Sequence, residues 1–380
     1  MILAQQNVLP VIFVSHAYED VRTGPAVYAR HLWEYFAESS EIEFHIVAPD
    51  GPEGHPRFHV ARASRPGAYA FYDALIKQAQ LLAGRFSRPG ILHMNAPHYA
   101  IVNPASSWKL WLQLNDYEGP QLLNHPWDSL LANGPRRFGS LLMRRWVERR
   151  MLRRCDLALA NSDYTRREVL SSYSEVNPAQ VITLYKGVDL SFFNSVKTRL
   201  KVAGACQFAF VGSNFRIKQL HLVVEAYANL KAPNCSLRIA GCTLEEFIKE
   251  YPQLAKAARS PGVIFHGRLD RASVRDLLLR SDSLLLPSRQ EALGVAALEA
   301  IACGCRVIGA RVGGIPEIIV GDEVGRLVDQ PSVDAWREAM VAEVAVASPM
   351  GLHRSLLLER FSAQHMLAEL RHLYLNCNFK

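Results

Sequence analysis

The 380-residue chain has no run of about 18 uninterrupted apolar residues, so no membrane-spanning helix is expected. It also lacks a basic N-terminal stretch followed by a long apolar core, which argues against a secretory signal. Cysteine is sparse: seven residues, an odd number, scattered from Cys155 to Cys377 with no CxxC pair. Cys303 and Cys305 stand too close together for a usual zinc site. These thiols read as small apolar fillers kept reduced, and the expected compartment is the cytoplasm. No low-complexity tract is present. No Gly-x-Gly-x-x-Gly follows a first strand, since neither TGPAV nor VGSNF supplies one, which argues against nicotinamide and flavin chemistry.

What is present is an ordinary globular composition, 49% hydrophobic and 21% charged, long enough for about two domains. The 43 Lys plus Arg against 36 Asp plus Glu leave a formal net charge of +7, compatible with anionic small molecules, a lipid surface or nucleic acid. Short apolar runs at residues 8–15, 42–48, 91–94, 122–124, 157–160 and 181–184 alternate with helix-patterned segments such as 26–36, 69–83 and 139–153. Runs that are apolar throughout suit parallel strands covered on both faces. A second series follows at 207–211, 236–240, 263–266, 283–286, 306–309 and 325–328. The polar stretch 186–201 between the series reads as a linker. The expected fold class is α/β, with two doubly wound Rossmann-like domains. In such sheets ligands bind at the carboxyl ends of the strands, so the cleft between the domains is the default site.

Residues 288–319, SRQEALGVAALEAIACGCRVIGARVGGIPEII, place Glu291 in a loop and Glu299 inside an Ala- and Leu-rich helix, with seven residues between them. Gly294 at the helix start allows close approach of a ligand, and the unpaired amides there attract an anion. A carboxylate beside that site suits vicinal hydroxyls, because ionised oxygens only accept hydrogen bonds. A solvated loop glutamate and a helix-surface glutamate are the bland alternative. Further along, the strand-to-helix loop FAFVGSNFRIKQL carries Gly212, Ser213, Arg216 and Lys218, and VRTGPAVYARHL carries Gly24 followed by Pro25 at a first helical position. Histidines 93, 98 and 125 stand near the ends of apolar runs, where an imidazole can hydrogen-bond a hydroxyl. Residues 143–155, MRRWVERRMLRRC, hold six arginines around Trp146 at roughly helical spacing. They read as a solvated face with Glu148 as internal partner, or as a basic helix resting on anionic lipid. No nucleic-acid module accompanies them.

The ordered set Pro287, Ser288, Glu291, Gly294, Glu299, Ala300, Gly304 and Gly313-Gly314-Ile315-Pro316-Glu317 resembles the sugar-donor half of the family 4 (group 1) retaining glycosyltransferases. The resemblance extends over most of the chain and implies the GT-B architecture. An acceptor-binding domain would span 1–190 with 361–380 crossing back to it as a helix, and a nucleotide-sugar domain 191–360. The implied activity is transfer of a hexose from a nucleotide sugar, UDP-glucose or another UDP-sugar, to a glycan or lipid-linked saccharide. Cell-surface polysaccharide or lipopolysaccharide synthesis is the implied setting. No metal or cofactor is expected, nor any nucleic acid partner. Peripheral contact with the inner face of an anionic membrane is an open expectation.

By the same resemblance Glu299 holds the ribose, Lys218 and Arg216 the diphosphate, and Glu291 the sugar hydroxyls. His125 lies at the reacting sugar. Gly24, Gly212, Ser213, His266, Gly267, Leu269, Ala292, Leu293, Gly294 and Val295 complete the donor site. Three departures stand out: Ser213 where arginine is common, Gln219 where glycine is common, and His93-Met94-Asn95 in place of His-x-His. A sugar-nucleotide epimerase shares this architecture, and a non-catalytic partner subunit keeps it without activity.

Overall fold

A computed structural model describes residues 8–20, 24–63, 68–96, 107–115, 139, 142–193, 205–345 and 352–379. The chain divides into two compact units, one of Met1–Tyr185 with Met366–Lys380 and one of Lys186–His365.

The first unit is built on a seven-stranded sheet. Its strands are β1 (Leu9–Val14), β2 (Ile42–Ala48), β3 (Phe58–Val60), β4 (Ile91–Met94), β5 (Lys109–Leu114), β6 (Leu157–Ala160) and β7 (Val181–Thr183). The order is β3-β2-β1-β4-β5-β6-β7 and every pairing is parallel, with Val11 opposite both Phe44 and Ile91. Helices Gly24–Phe36 and Ala68–Ala83 follow β1 and β3 as crossovers. Both sheet faces are covered, so β1 and β2 are buried almost end to end. Removing a ring such as Phe44 from water contributes about 1.5–3 kcal/mol.

The strands β3 and β5 are absent from the sequence expectation. In KLWLQL the Lys and Gln interrupt the apolar run, yet Gln113 is buried because Tyr28 Oη donates to its Oε1 and its Nε2 donates to the Leu159 carbonyl. The expected strand 122–124 lies outside the described residues.

The second unit carries β8 (Cys206–Val211), β9 (Cys235–Ala240), β10 (Val263–Phe265), β11 (Ser283–Leu286), β12 (Arg306–Ala310) and β13 (Gly325–Val328). Their order is β10-β9-β8-β11-β12-β13, again all parallel. Phe208, Phe210, Phe247 and Trp336 are fully enclosed in its core. In both units the strand order reverses beside the first strand, at β1/β4 and β8/β11, which is where an open α/β sheet leaves room for a ligand.

The stretch 186–193, expected as part of a linker, is structured within the second unit. Val188 N–H donates to the Phe361 carbonyl at 2.8 Å, and Ala363 N–H donates to Val188 at 2.9 Å. Leu190–Phe193 forms one helical turn that buries Phe193. All seven cysteines are free thiols and six are buried, as apolar fillers should be. Among the described residues no helix is long and apolar enough to cross a membrane.

Candidate functional site

Three loops at the carboxyl edge of the second sheet bring the predicted residues together. After β8, Gly212 opens the loop that ends at Lys218 and the helix Leu220–Ala228. The Lys218 methylenes lie against Gly212 so closely that a Cβ there would sit 2.8 Å from Cδ. After β11, residues 287–293 lead into helix Val295–Ala302, with Gly294 as its cap at φ +98°, a conformation that L side chains rarely adopt. After β12, Gly313 (φ +58°) passes over this loop, where a Cβ would fall 1.6 Å from the Glu291 carbonyl oxygen. Gly314 N–H donates to that same carbonyl at 3.3 Å. The Gly-Gly pair therefore clamps the backbone of Glu291, which is a physical reason for its place in the motif.

Within this frame Lys218 Nζ donates to Glu291 Oε1 and Oε2 at 3.0 and 3.1 Å, both side chains mostly sheltered. Glu299, one turn into the helix, accepts no hydrogen bond to its carboxyl from any described residue. Glu299 is half-buried. Burial pushes its carboxyl up to about 7, against the lowering influence first of Arg271 and then of Lys218. A half-buried carboxyl with no hydrogen-bond donor among the described residues and a raised pKa marks a candidate ligand-binding group.

The other predicted residues are distributed as follows. Arg216 is exposed and paired with Glu250 at the end of helix Leu244–Glu250, rather than with the Lys218 group. Ser213 is exposed, and Gln219 adopts the left-handed region at φ +46°, which explains why glycine suits that position. In the loop after β10, His266 N–H donates to the Ile239 carbonyl, and the Gly267 carbonyl accepts from Gly241. Partial burial first, and Arg238 second, lower the His266 imidazole. Leu269, Ala292 and Val295 are half-buried, whereas the Leu293 side chain belongs to the core and has only its backbone to offer.

In the first unit Gly24 begins its helix exposed, and a Cβ there would meet nothing within 4 Å, so packing does not require the glycine. His98 and His125 lie outside the described residues. His93 is no surface ligand: it is fully buried, its Nδ1 2.6 Å from Tyr374 Oη and its ring edge-on to Phe13. Burial pushes its imidazole down to about 3, so it is neutral and anchors the C-terminal helix. In the arginine-rich helix 142–152, Glu148 is buried and accepts from Tyr173 Oη at 3.0 Å. Leu142, Met143 and Trp146 are exposed, with Arg150 over the Trp146 ring at 5.7 Å.

Two sets of residues escaped the sequence reading. One is Arg271, whose Nη2 lies 3.5 Å from Asp189 Oδ2 and whose guanidinium carbon lies 4.4 Å from the Phe192 ring centroid. The other is a buried polar ladder across the ends of β1, β4, β5 and β6. Asn95 Nδ2 donates to Ser15 Oγ at 3.0 Å and to the Pro25 carbonyl at 3.2 Å. Asn115 Nδ2 donates to Asn95 Oδ1 at 2.9 Å, Asn161 Nδ2 to the Asn115 carbonyl at 2.7 Å, and Thr165 Oγ1 to Asn161 Oδ1 at 2.9 Å. The available signal was one polar residue directly after each strand. Among the described residues no group of His, Cys, Asp and Glu is placed to hold a metal ion.

Comparison with known proteins gives a consistent picture. Residues 22–192 match the model described as Glycosyltransferase Family 4, and residues 191–342 the one described as Glycosyl transferases group 1. An alpha-maltose-1-phosphate synthase of Mycolicibacterium smegmatis is 31% identical over 277 residues, 66% of this chain and 69% of the relative. Sucrose-phosphate synthase from Thermosynechococcus elongatus superposes with a TM-score of 0.73 at 18% identity, over 96% of this chain and 98% of that one. Anabaena HepE, solved in complex with UDP and glucose, gives 0.70 at 14% identity over 97% and 99%. These structures share the fold of two parallel-strand sheets with alternating helices.

Proposed function

The chain belongs to the family 4 (group 1) glycosyltransferases, and from that premise we propose that it transfers a hexose from a UDP-sugar, with retention at the anomeric carbon. The observation that carries this reading is the meeting of Lys218, Glu291 and Glu299 around the start of helix Val295–Ala302. The half-buried Glu299 carboxyl accepts from the two ribose hydroxyls. The amides that open the helix face the diphosphate, whose charge the helix start favours. Lys218 turns from Glu291 to the diphosphate when the nucleotide sugar enters, and Glu291 is released to the sugar hydroxyls. Arg216 is the second cation available on the same loop. The UDP and glucose bound by HepE support the choice of base and hexose.

In the transfer, the acceptor hydroxyl oxygen bonds to the anomeric carbon on the face from which the diphosphate leaves. The bond from that carbon to the diphosphate oxygen breaks, and the hydroxyl proton passes to the leaving phosphate. Fixed cations stabilise the charge that develops there, without a metal ion. No second catalytic carboxylate of the glycosidase kind is called for.

The acceptor in this reading is a glycan or lipid-linked saccharide, as in cell-surface polysaccharide or lipopolysaccharide synthesis on the cytoplasmic side of a membrane. Support comes from the exposed Leu142, Met143 and Trp146 beside Arg150, a composition suited to an anionic lipid surface. Sedimentation with phosphatidylglycerol vesicles, reduced by Trp146→Ala and absent with phosphatidylcholine, is the expected result; equal binding to both lipids would remove the membrane contact. The donor reading is tested by calorimetry against UDP-, GDP- and ADP-sugars together with slow hydrolysis of the bound one. Binding of a UDP-sugar, abolished in Glu299→Ala, is expected. A folded protein that binds no nucleotide sugar would end it.

A further inference from the structure

The ion pair of Lys218 and Glu291 is set up by the backbone on both sides. Arg289 N–H donates to the Ile217 carbonyl at 2.9 Å, which ties the two loops together beside Lys218 and two residues before Glu291. The Lys218 stem runs along Gly212, where a Cβ would fall 2.8 Å from its Cδ, and its backbone N–H donates to the Asn214 carbonyl at 3.0 Å. On the other side the Glu291 carbonyl lies under Gly313 and accepts from Gly314 N–H at 3.3 Å. The outcome is a bidentate contact at 3.0 and 3.1 Å between side chains only 19% and 15% exposed. A charge-assisted pair so sheltered is stronger than one on open surface. Arg216, the other cation of the loop, is exposed and engaged by Glu250.

An ammonium held in this way is contested: a nucleotide diphosphate gains Lys218 only by taking it from Glu291. A ligand that brings the diphosphate alone breaks the pair and leaves a sheltered carboxylate without its cation, which is costly. A ligand that also brings a hexose offers hydroxyl donors to that carboxylate, whose oxygens only accept. The flexible lysine stem can swing between the two acceptors, while the glycine clamp keeps the Glu291 backbone in place. The exchange is therefore less costly for the intact donor than for the bare nucleoside diphosphate.

We propose that the Lys218–Glu291 pair is a resting lock that makes the site select for the sugar: the diphosphate holds Lys218 at full strength only when a hexose has taken over Glu291. The inference rests on the reading of this edge as a UDP-sugar site. It also accounts for product release, because once the hexose has left, Glu291 recovers Lys218 and the remaining nucleoside diphosphate loses a cation.

The test is calorimetric affinity of the full chain for UDP and for UDP-glucose. Glu291→Gln keeps the side-chain shape and removes the charge that competes for Lys218, so UDP binds about tenfold more tightly, the size of one charge-assisted contact. Affinity for UDP-glucose does not rise, because the same change weakens the contact with the hexose. In a Lys218→Ala background Glu291→Gln leaves UDP affinity unchanged, since no cation is contested there. Lys218→Met, which keeps a stem along Gly212, serves as a second background. Three results overturn the proposal and leave the donor reading intact. One is a Glu291→Gln variant with no gain for UDP, and another is an equal gain for UDP-glucose. The third is an undiminished gain without Lys218, which would show plain repulsion between Glu291 and the diphosphate. A wild type that binds neither UDP nor UDP-glucose removes the UDP-sugar reading and this inference with it.

Discussion

The two sheets are built alike, yet their carboxyl edges are opposites. In the first unit the strand ends are closed by neutral groups that satisfy one another, from Ser15 through Asn95, Asn115 and Asn161 to Thr165, nearly all removed from water. In the second unit the same edge carries Lys218, Glu291, Glu299 and Arg271, charged and only partly covered. Amides can be buried because each hydrogen bond replaces one to water, whereas a charge resists burial unless paired. Among the described residues, one edge is thus closed by a neutral network and the other carries charges.

The sharpest way to break this contrast is Lys218→Ala. If the charged edge serves the leaving diphosphate, the turnover of a UDP-sugar falls about 100-fold or more while thermal stability changes little, as for other preorganised groups facing developing charge. A stability loss without loss of turnover would make the Lys218 to Glu291 pair merely structural. Asn95→Ala is the complementary change. It removes the bonds to Ser15 and Pro25 and the side-chain acceptor of Asn115, which keeps the Asn95 carbonyl, so unfolding by urea should show a loss of about 2–3 kcal/mol. Affinity for the nucleotide sugar should remain at the wild-type value, and a matching drop in affinity would blur the division between the edges. The smallest effect is expected for Gln219→Gly. Relief of the left-handed backbone at φ +46° is partly offset by the greater freedom of glycine in the unfolded chain. A net gain of about 0.5–1 kcal/mol in the urea melt is expected; a destabilised variant would show that the Gln219 side chain contributes contacts worth more than the strain.

Legibility followed chain distance. Glu291, Gly294, Glu299 and Gly313 were readable because one strand-loop-helix unit and the clamp behind it fall within a single short segment. Their companion Lys218 was found by its offset from Gly212. Arg271 gave no signal, for an arginine after an aspartate N-cap is an ordinary helix start, and its partner Asp189 sat in a stretch that looked like linker. The strand β5 was missed because Gln113 reads as a surface residue until Tyr28, 85 positions away, supplies its hydrogen bond. His93 was judged by its place at a strand end, and the strand end proved to face Tyr374 of the C-terminal helix, 281 residues along the chain.

The sequence by itself determined the alternation of strands and helices, the parallel sheets that follow from apolar strands, and the family. Those rest on local patterns: runs buried on both faces, glycines where the backbone must turn, and carboxylates at fixed spacing around a helix start. Only the tertiary structure decided that Lys218 meets Glu291, that Arg216 pairs with Glu250 and Arg271 with Asp189, and that strand ends of the first sheet are joined by a neutral ladder. Each of these joins groups far apart in the chain, and a contact of that kind exists only once folding has brought both partners to the same edge of a sheet.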